Sequence, residues 1–439
     1  MPQFNARRFR ALARLHGFSG AVWRRRIAIG GGAIVIGLLA LLYARIADGA
    51  GEMFLAVVHA YWWAPAVLTP VGFALIAAAT RAVAVEAAGS GIPQVIAASR
   101  DPANATNRLV SLKTSAVKFV LMPLGLMVGA SAGREGPTVQ IGAAIMAYAH
   151  RLAKLPMRSS VLIAGGAAGV SAAFNTPLAG VAFAIEELAA AYEQRMTLLV
   201  MAAVLIAGMV SLGIAGDYVY FGAVSAHLTV WPAIQISVVA GIAGGLSGGL
   251  FAKAMLAVTR STHRYIAAAR SRPILFAAAC GAVVAGVGMA SGLTWGTGYS
   301  VAREMTEGTG APLWYAPAKF VASLATAVAG VPGGIFAPSL STGAGVGNLL
   351  RPFFPDQPAG AIVLLGMVAY FTGVVRAPLT AVIVVVETTA SRGLLLPLLA
   401  AALVADVSGR TVCRERLYHG LARAFEKPRG DARGRSSSA

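Results

Sequence analysis

The chain has 439 residues, of which 57% are hydrophobic and 12% charged, with a mean hydropathy of +0.72. No stretch is polar and long enough to form a separate soluble domain, so the composition excludes a soluble enzyme and indicates an all-α integral membrane protein. A formal charge of +19 does not imply nucleic-acid binding, because the basic residues gather at the ends and in short loops, as the positive-inside rule describes.

Residues 1–26 read as a basic cytoplasmic segment, carrying Arg7, Arg8, Arg10, Arg14, Arg24, Arg25 and Arg26 without an acidic residue. The apolar run that follows is too long for a signal peptide and has no small-residue cleavage site, so it is expected to remain as a transmembrane helix. Runs at 27–44, 159–185, 198–212, 234–257, 273–290 and 361–386 each approach or exceed the roughly 20 helical residues that span a bilayer. Arg260, Arg264, Arg270 and Arg272 cluster in one loop, and residues 410–439 hold eight basic against three acidic side chains, which places both termini in the cytoplasm. Cys280 and Cys413 suggest neither a metal site nor a disulfide framework, and no cofactor is expected.

Two motifs recur at a fixed offset of 201 residues. "GREGPTVQIGAA" from Gly133 aligns with "GIFAPSLSTGAG" from Gly334, pairing Pro137 with Pro338 and Gly142 with Gly343. "TPLAGVAFAIEE" from Thr176 aligns in the same register with "APLTAVIVVVET" from Ala377, pairing Pro177 with Pro378 and Glu186 with Glu387. The chain therefore divides into related halves, 27–215 and 216–420, followed by a short polar cytoplasmic tail, 421–439. Glycine and proline interrupt apolar segments at matching places in both halves, which is the sequence mark of a binding site built from broken helices near the bilayer midplane. Helix N-termini converging there would bind an anion through backbone amides and their partial positive charge.

"GSGIP" at 89–93, "GREGP" at 133–137 and "GIFAP" at 334–338, together with "IEE" at 185–187 and "LY" at 417–418, resemble the signature set of the CLC family of chloride channels and chloride/proton exchangers, over about residues 80–420. The resemblance implies a homodimer of two inverted repeats of tilted, broken helices, each subunit moving chloride ions and protons through its own pathway. It also implies a chloride site formed by the hydroxyls of Ser90 and Tyr418 and the backbone amides of Ile335 and Phe336. An outer anion site would use the backbone at Gly136 and Ala337. Ser90 also stands where an N-cap for a helix with Pro93 in its first turn would stand.

Glu135 is then expected to act as the gate: ionised, its carboxylate takes the place of an anion; protonated, it leaves. Arg134 is assigned to structure or local field. Glu187 is the expected internal proton acceptor, a residue that pure channels of the family generally lack, so its presence favours an antiporter over a passive chloride channel. Glu186 and Glu387, matched by the repeat, are assigned to architecture. Two departures bear on the proton route: the residues after Glu187 are alanine-rich, and Ile96 stands where some relatives carry an acid that could pair with Lys118. "GASAG" at 129–133 fits a serine-hydrolase string but lacks its strand–turn–helix setting, "GFSG" at 17–20 resembles that of an intramembrane serine protease but lies before the first span, and no histidine sits within an apolar span beside a candidate serine. The 21 residues after Tyr418 are too few for the nucleotide-binding pair of many eukaryotic relatives, which suggests a bacterial inner-membrane protein without ATP control.

Overall fold

The computed structural model describes residues 20–189, 194–216, 219–261 and 263–426. Arg7, Arg8, Arg10, Arg14, most of "GFSG" and the tail beyond Glu426 lie outside them. Among the described residues the secondary structure is helical, with no named strand and two isolated β-bridges. The α-helices are α1 (Gly20–Ala60), α2 (Pro65–Val83), α3 (Ile92–Arg100), α4 (Pro102–Leu109), α5 (Leu112–Met127), α6 (Glu135–Leu152), α7 (Ser159–Phe174), α8 (Pro177–Phe183) and α9 (Gln194–Ala215) in the first half. The second half holds α10 (Val230–Arg260), α11 (Arg264–Ser271), α12 (Pro273–Ser291), α13 (Tyr299–Thr306), α14 (Tyr315–Val328), α15 (Phe336–Leu350), α16 (Ala359–Val375), α17 (Pro378–Thr389), α18 (Leu395–Val412) and α19 (Leu417–Ala422). Seven helical segments are long and apolar enough to cross a bilayer.

Two apolar runs read as single spans are each a pair of helices. The run 159–185 breaks between α7 and α8, where Asn175 adopts a left-handed φ of 57° and Pro177 opens the next helix. The run 361–386 breaks at the equivalent place, with Arg376 at φ 67° followed by Pro378. A left-handed residue ends α geometry, and the proline lacks the N–H that would have continued it. Each break is tied down: Asn175 Nδ2 donates to the carbonyl of Gly216 at the end of α9, 3.3 Å, and Arg376 Nη1 to that of Cys413 at the end of α18, 3.0 Å.

The halves make reciprocal contacts, as a twofold relation requires. Gly133 N–H donates to Gly334 O at 2.8 Å and Gly334 N–H to Gly133 O at 2.7 Å, in an antiparallel bridge. Glu186 accepts from the amides of Leu379 and Thr380 at the start of α17, and Glu387 accepts from those of Leu178 and Ala179 at the start of α8. Each glutamate thus caps a helix N-terminus in the other half, which is favourable both for the orphan amides and for the helix dipole. The architectural role expected for this pair follows from these bonds. The fold is two inverted repeats of broken helices.

Because lipid gives apolar side chains no reason to leave it, the halves are held internally by close packing of small residues. In the first half α6 meets α7 at Gly142 and Gly165; in the second, α15 meets α16 at Gly343 and Gly366. A Cβ on Gly165 would lie 2.7 Å from Met146 Cβ and 2.9 Å from Ala143 Cα, and one on Gly366 would lie 2.5 Å from Gly347 Cα. By contrast, a Cβ on Gly286 of α12 meets nothing within 4 Å. Gly366→Val should therefore abolish recovery of monodisperse protein in detergent, and Gly286→Val should purify with a melting temperature close to that of the parent. Normal recovery and melting of Gly366→Val would show that the α15–α16 contact is not needed for folding.

Candidate functional site

The three glycine-containing motifs meet through their backbones. Besides the Gly133–Gly334 exchange, Gly89 N–H donates to Val331 O at 3.1 Å and Gly333 N–H to Gly89 O at 3.2 Å. The approach needs glycine: a Cβ on Gly136 would lie 3.0 Å from Ser90 O, and one on Gly334 would lie 3.0 Å from both Gly133 O and Gly136 N. The N-terminal ends of α6 and α15 are thereby brought face to face beside the loop carrying Ser90. Glu135, Gly136, Ile335, Phe336, Ala337 and Ser90 all fall at this junction, and every one is buried.

Glu135 is the first residue of α6 and is completely buried. Its Oε1 accepts a hydrogen bond from the hydroxyl of Tyr299 at the start of α13, and its carboxylate faces the amide of Ala337. Arg134 does not pair with it. The guanidinium donates to Ala44 O at 2.8 Å, to Asp48 Oδ1 at 2.5 Å and to the Tyr220 hydroxyl at 3.2 Å, and its centre lies 5.8 Å from the ring centroids of both Tyr220 and Tyr299. Asp48 lies about 36 Å along α1 from Arg24 at 1.5 Å per residue, a distance comparable to the thickness of a bilayer core. The Glu135 end of the site therefore faces the water opposite the basic start of α1.

Ser90 is not an N-cap. Gly91 takes that position with a φ of 98°, and no side chain caps α3. The Ser90 hydroxyl is buried with no partner among the described residues, and the same holds for the hydroxyl of Tyr418 on α19. The two are close enough to act on each other, and both carboxylates, Glu187 and Glu135, act electrostatically on Tyr418. Tyr418 stands against Phe336, ring centroids 5.9 Å apart, and Phe336 in turn packs on Phe174, Phe183 and Phe371. Buried hydroxyls cost free energy unless they are hydrogen-bonded, so this pair is suited to a ligand that accepts from both.

Glu187 is fully buried and neither of its oxygens has a hydrogen-bond partner among the described residues. It lies in a π-helical segment, Ala184–Leu188, inserted directly after α8, whereas the equivalent stretch of α17 continues as α-helix. The extra residue in a π turn rotates the side chains that follow it, and such insertions often mark functional positions. His419 stands beside Glu187, with Nε2 3.8 Å from Glu187 Oε1.

Lys118 and Lys319 keep the 201-residue offset, whereas the loop that carries Tyr299 is shifted from it by six residues. "GSGIP" at 89–93 has its structural counterpart in "GTGYS" at 296–300, with Gly91 and Gly298 both left-handed at the start of α3 and α13. Lys118 Nζ donates to Gly89 O and Lys319 Nζ to Gly296 O, both at 2.9 Å. Lys118 thus needs no acid at Ile96: a loop carbonyl takes that place.

A model of the voltage gated chloride channel family matches residues 72–410. Among solved structures, a slow cyanobacterial Cl⁻/H⁺ antiporter shares a TM-score of 0.78 at 22% identity, over 92% of this chain and 98% of that one. A CLC-type fluoride/proton antiporter gives a TM-score of 0.71 at 22% identity, over 90% of this chain and 97% of its own. A eukaryotic CLC transporter gives 0.70 at 20% identity, over 91% of this chain and 74% of its own. At these identities the structures establish a common fold, and with the family match they identify this chain as a member of the voltage-gated chloride channel (CLC) family.

Proposed function

We propose that the protein is a chloride/proton antiporter that works as a homodimer in a bacterial inner membrane, with both termini cytoplasmic, Glu135 as the gate and Glu187 as the internal proton acceptor. The observation that carries the reading is the presence of two fully buried carboxylates, Glu135 at the junction of α6 with α15 and Glu187 in the π segment beside His419 of α19. A passive anion path has no use for the second. Buried acids in a membrane protein are costly and are kept where protons must stop.

The anion is held by donors alone: the Ser90 and Tyr418 hydroxyls and the amides of Ile335 and Phe336, with Gly136 and Ala337 supplying amides further out. Hydroxyls and helix N-termini replace hydration without fixing the ion as a lysine would. Glu135, when ionised, places its carboxylate against the Ala337 amide and competes for the outer position. Tyr299 steadies that state by donating to Oε1. Protonation removes the charge and with it both attractions, and the carboxyl swings away to admit chloride.

Glu135→Gln reproduces the neutral side chain, so chloride flux in liposomes should be fast and nearly independent of pH, with proton coupling gone. A folded Glu135→Gln variant that does not conduct chloride would remove Glu135 from the gate.

Glu187→Gln should end proton uptake driven by a chloride gradient while chloride flux continues. The comparison needs the reversal potential of the wild type under crossed chloride and pH gradients; a potential set by chloride alone would establish the passive channel instead.

Tyr299→Phe keeps the ring packing against Phe221 and Tyr220 but deletes a hydrogen bond to a charged group worth about 1.5–3 kcal/mol. The carboxylate is then freed more readily, and chloride turnover should rise about tenfold. Unchanged turnover would mean that Tyr299 does not restrain the gate.

A further inference from the structure

Glu187 is fully buried. The side chain that stands beside it is His419, on α19 immediately after Tyr418: it is 21% exposed where Glu187 is 0% exposed. Its Nε2 and both Glu187 oxygens are buried without hydrogen-bond partners among the described residues, and they face each other at 3.8 Å. The other ring nitrogen fixes the tautomer. Nδ1 lies 2.7 Å from Arg100 Nη2, and a guanidinium can only donate, so Nδ1 accepts and the proton of the neutral ring is on Nε2, pointing at the carboxylate.

We propose that His419 carries protons between the cytoplasmic water and Glu187, with Arg100 as a removable cover on Nδ1. This rests on the antiporter reading given above. The transfer balances without any other reactant. A proton from water bonds to Nδ1 when Arg100 withdraws, the Nε2–H bond breaks as its proton passes to a Glu187 oxygen, and the ring is left neutral. Rotation of the ring or exchange with water then restores the starting tautomer.

The charges around the imidazole suit a carrier that never keeps its proton. Arg100 comes from α3, Arg416 from the turn before α19 and Arg423 from the turn after it; Glu187 faces it from the π segment. Arg416 is itself held by the carbonyl of Glu186 at 3.1 Å. Burial, then Arg100 and Arg416, push the imidazole down to about 4, with Arg423 adding to the effect. Arg100 also pairs through Nη1 with Glu426, which gives its guanidinium a second partner when it leaves His419.

The test uses the full chain in liposomes, recording chloride and proton fluxes together. In His419→Gln the side chain can still accept from Arg100 and keeps an N–H on the Glu187 side, but it cannot titrate. Chloride flux should stay within about twofold of wild type and proton flux should fall about tenfold or more, the scale of a lost proton carrier. In His419→Ala, imidazole added on the cytoplasmic side should restore proton flux. Arg100→Gln, which keeps His419 and removes the cover, should raise proton flux and gives a reading that does not depend on how the histidine variants fold. If the wild type couples protons to chloride and His419→Gln does so at the same rate, the proposal is overturned and the antiporter reading stands. If the wild type moves no protons against a gradient, both fall.

Discussion

A helix that ends inside a bilayer must give its free amides to something other than lipid, and in this chain the loops leading into two such ends are bonded to each other, which turns both ends inward. The reciprocal bonds between Gly133 and Gly334 fix α6 against α15 at their N-termini. From that one constraint the rest of the junction follows. The adjoining residues, Glu135, Gly136, Phe336 and Ala337, are forced into one place; the Gly89 bonds to Val331 and Gly333 bring in Ser90; and only glycine allows backbones to approach this closely. Two buried lysines, Lys118 and Lys319, anchor the flanking glycine loops through their carbonyls, one in each half.

The twofold relation governs structure, and its violations mark the proposed chemistry. Where the halves agree, residues hold the fold: Glu186 with Glu387, Asn175 with Arg376, Lys118 with Lys319. At the position where α6 begins with Glu135, α15 begins with Phe336, so one helix end meets a charge and the other an aromatic collar. Glu187 is matched by Thr388, whose hydroxyl turns back to Val384 O at 2.6 Å inside an unbroken helix. An inverted duplicate can build a symmetric cage for an anion, but a proton route that enters from one side must be asymmetric.

Much of this was legible in the sequence for a physical reason. The starts of α8 and α17 are marked by Pro177 and Pro378, residues whose backbone limits act locally, and the 201-residue register is a linear property. What was not legible depends on contacts between distant segments. The residue pairs Tyr299 with Glu135 and Arg134 with Asp48 are separated by 164 and 86 positions, and neither partner announces the other. The π insertion at Ala184–Leu188 has no composition signal, because "AIEEL" would serve an α-helix equally well. Reading 159–185 as one span failed because hydropathy measures the length of an apolar run and not the left-handed residue that folds it in two.

Arg134 shows why Glu135, as the proposed gate, is met by a hydroxyl and not by an ion pair. Severing a buried ion pair costs about 3–5 kcal/mol, and a Glu135 bound to its own neighbour would be held by an interaction that each transport cycle had to break. Arg134 instead gives its terminal nitrogens to Asp48, the Ala44 carbonyl and Tyr220, so its charge contributes a field that favours anions without making a contact that retains them. The contact to the carboxylate falls to Tyr299, whose single hydrogen bond is strong enough to define a closed position and weak enough to give up. Placing the arginine one residue before the gate, on the N-cap, points its long side chain outward to Asp48 while the glutamate that follows turns inward to the paired helix ends.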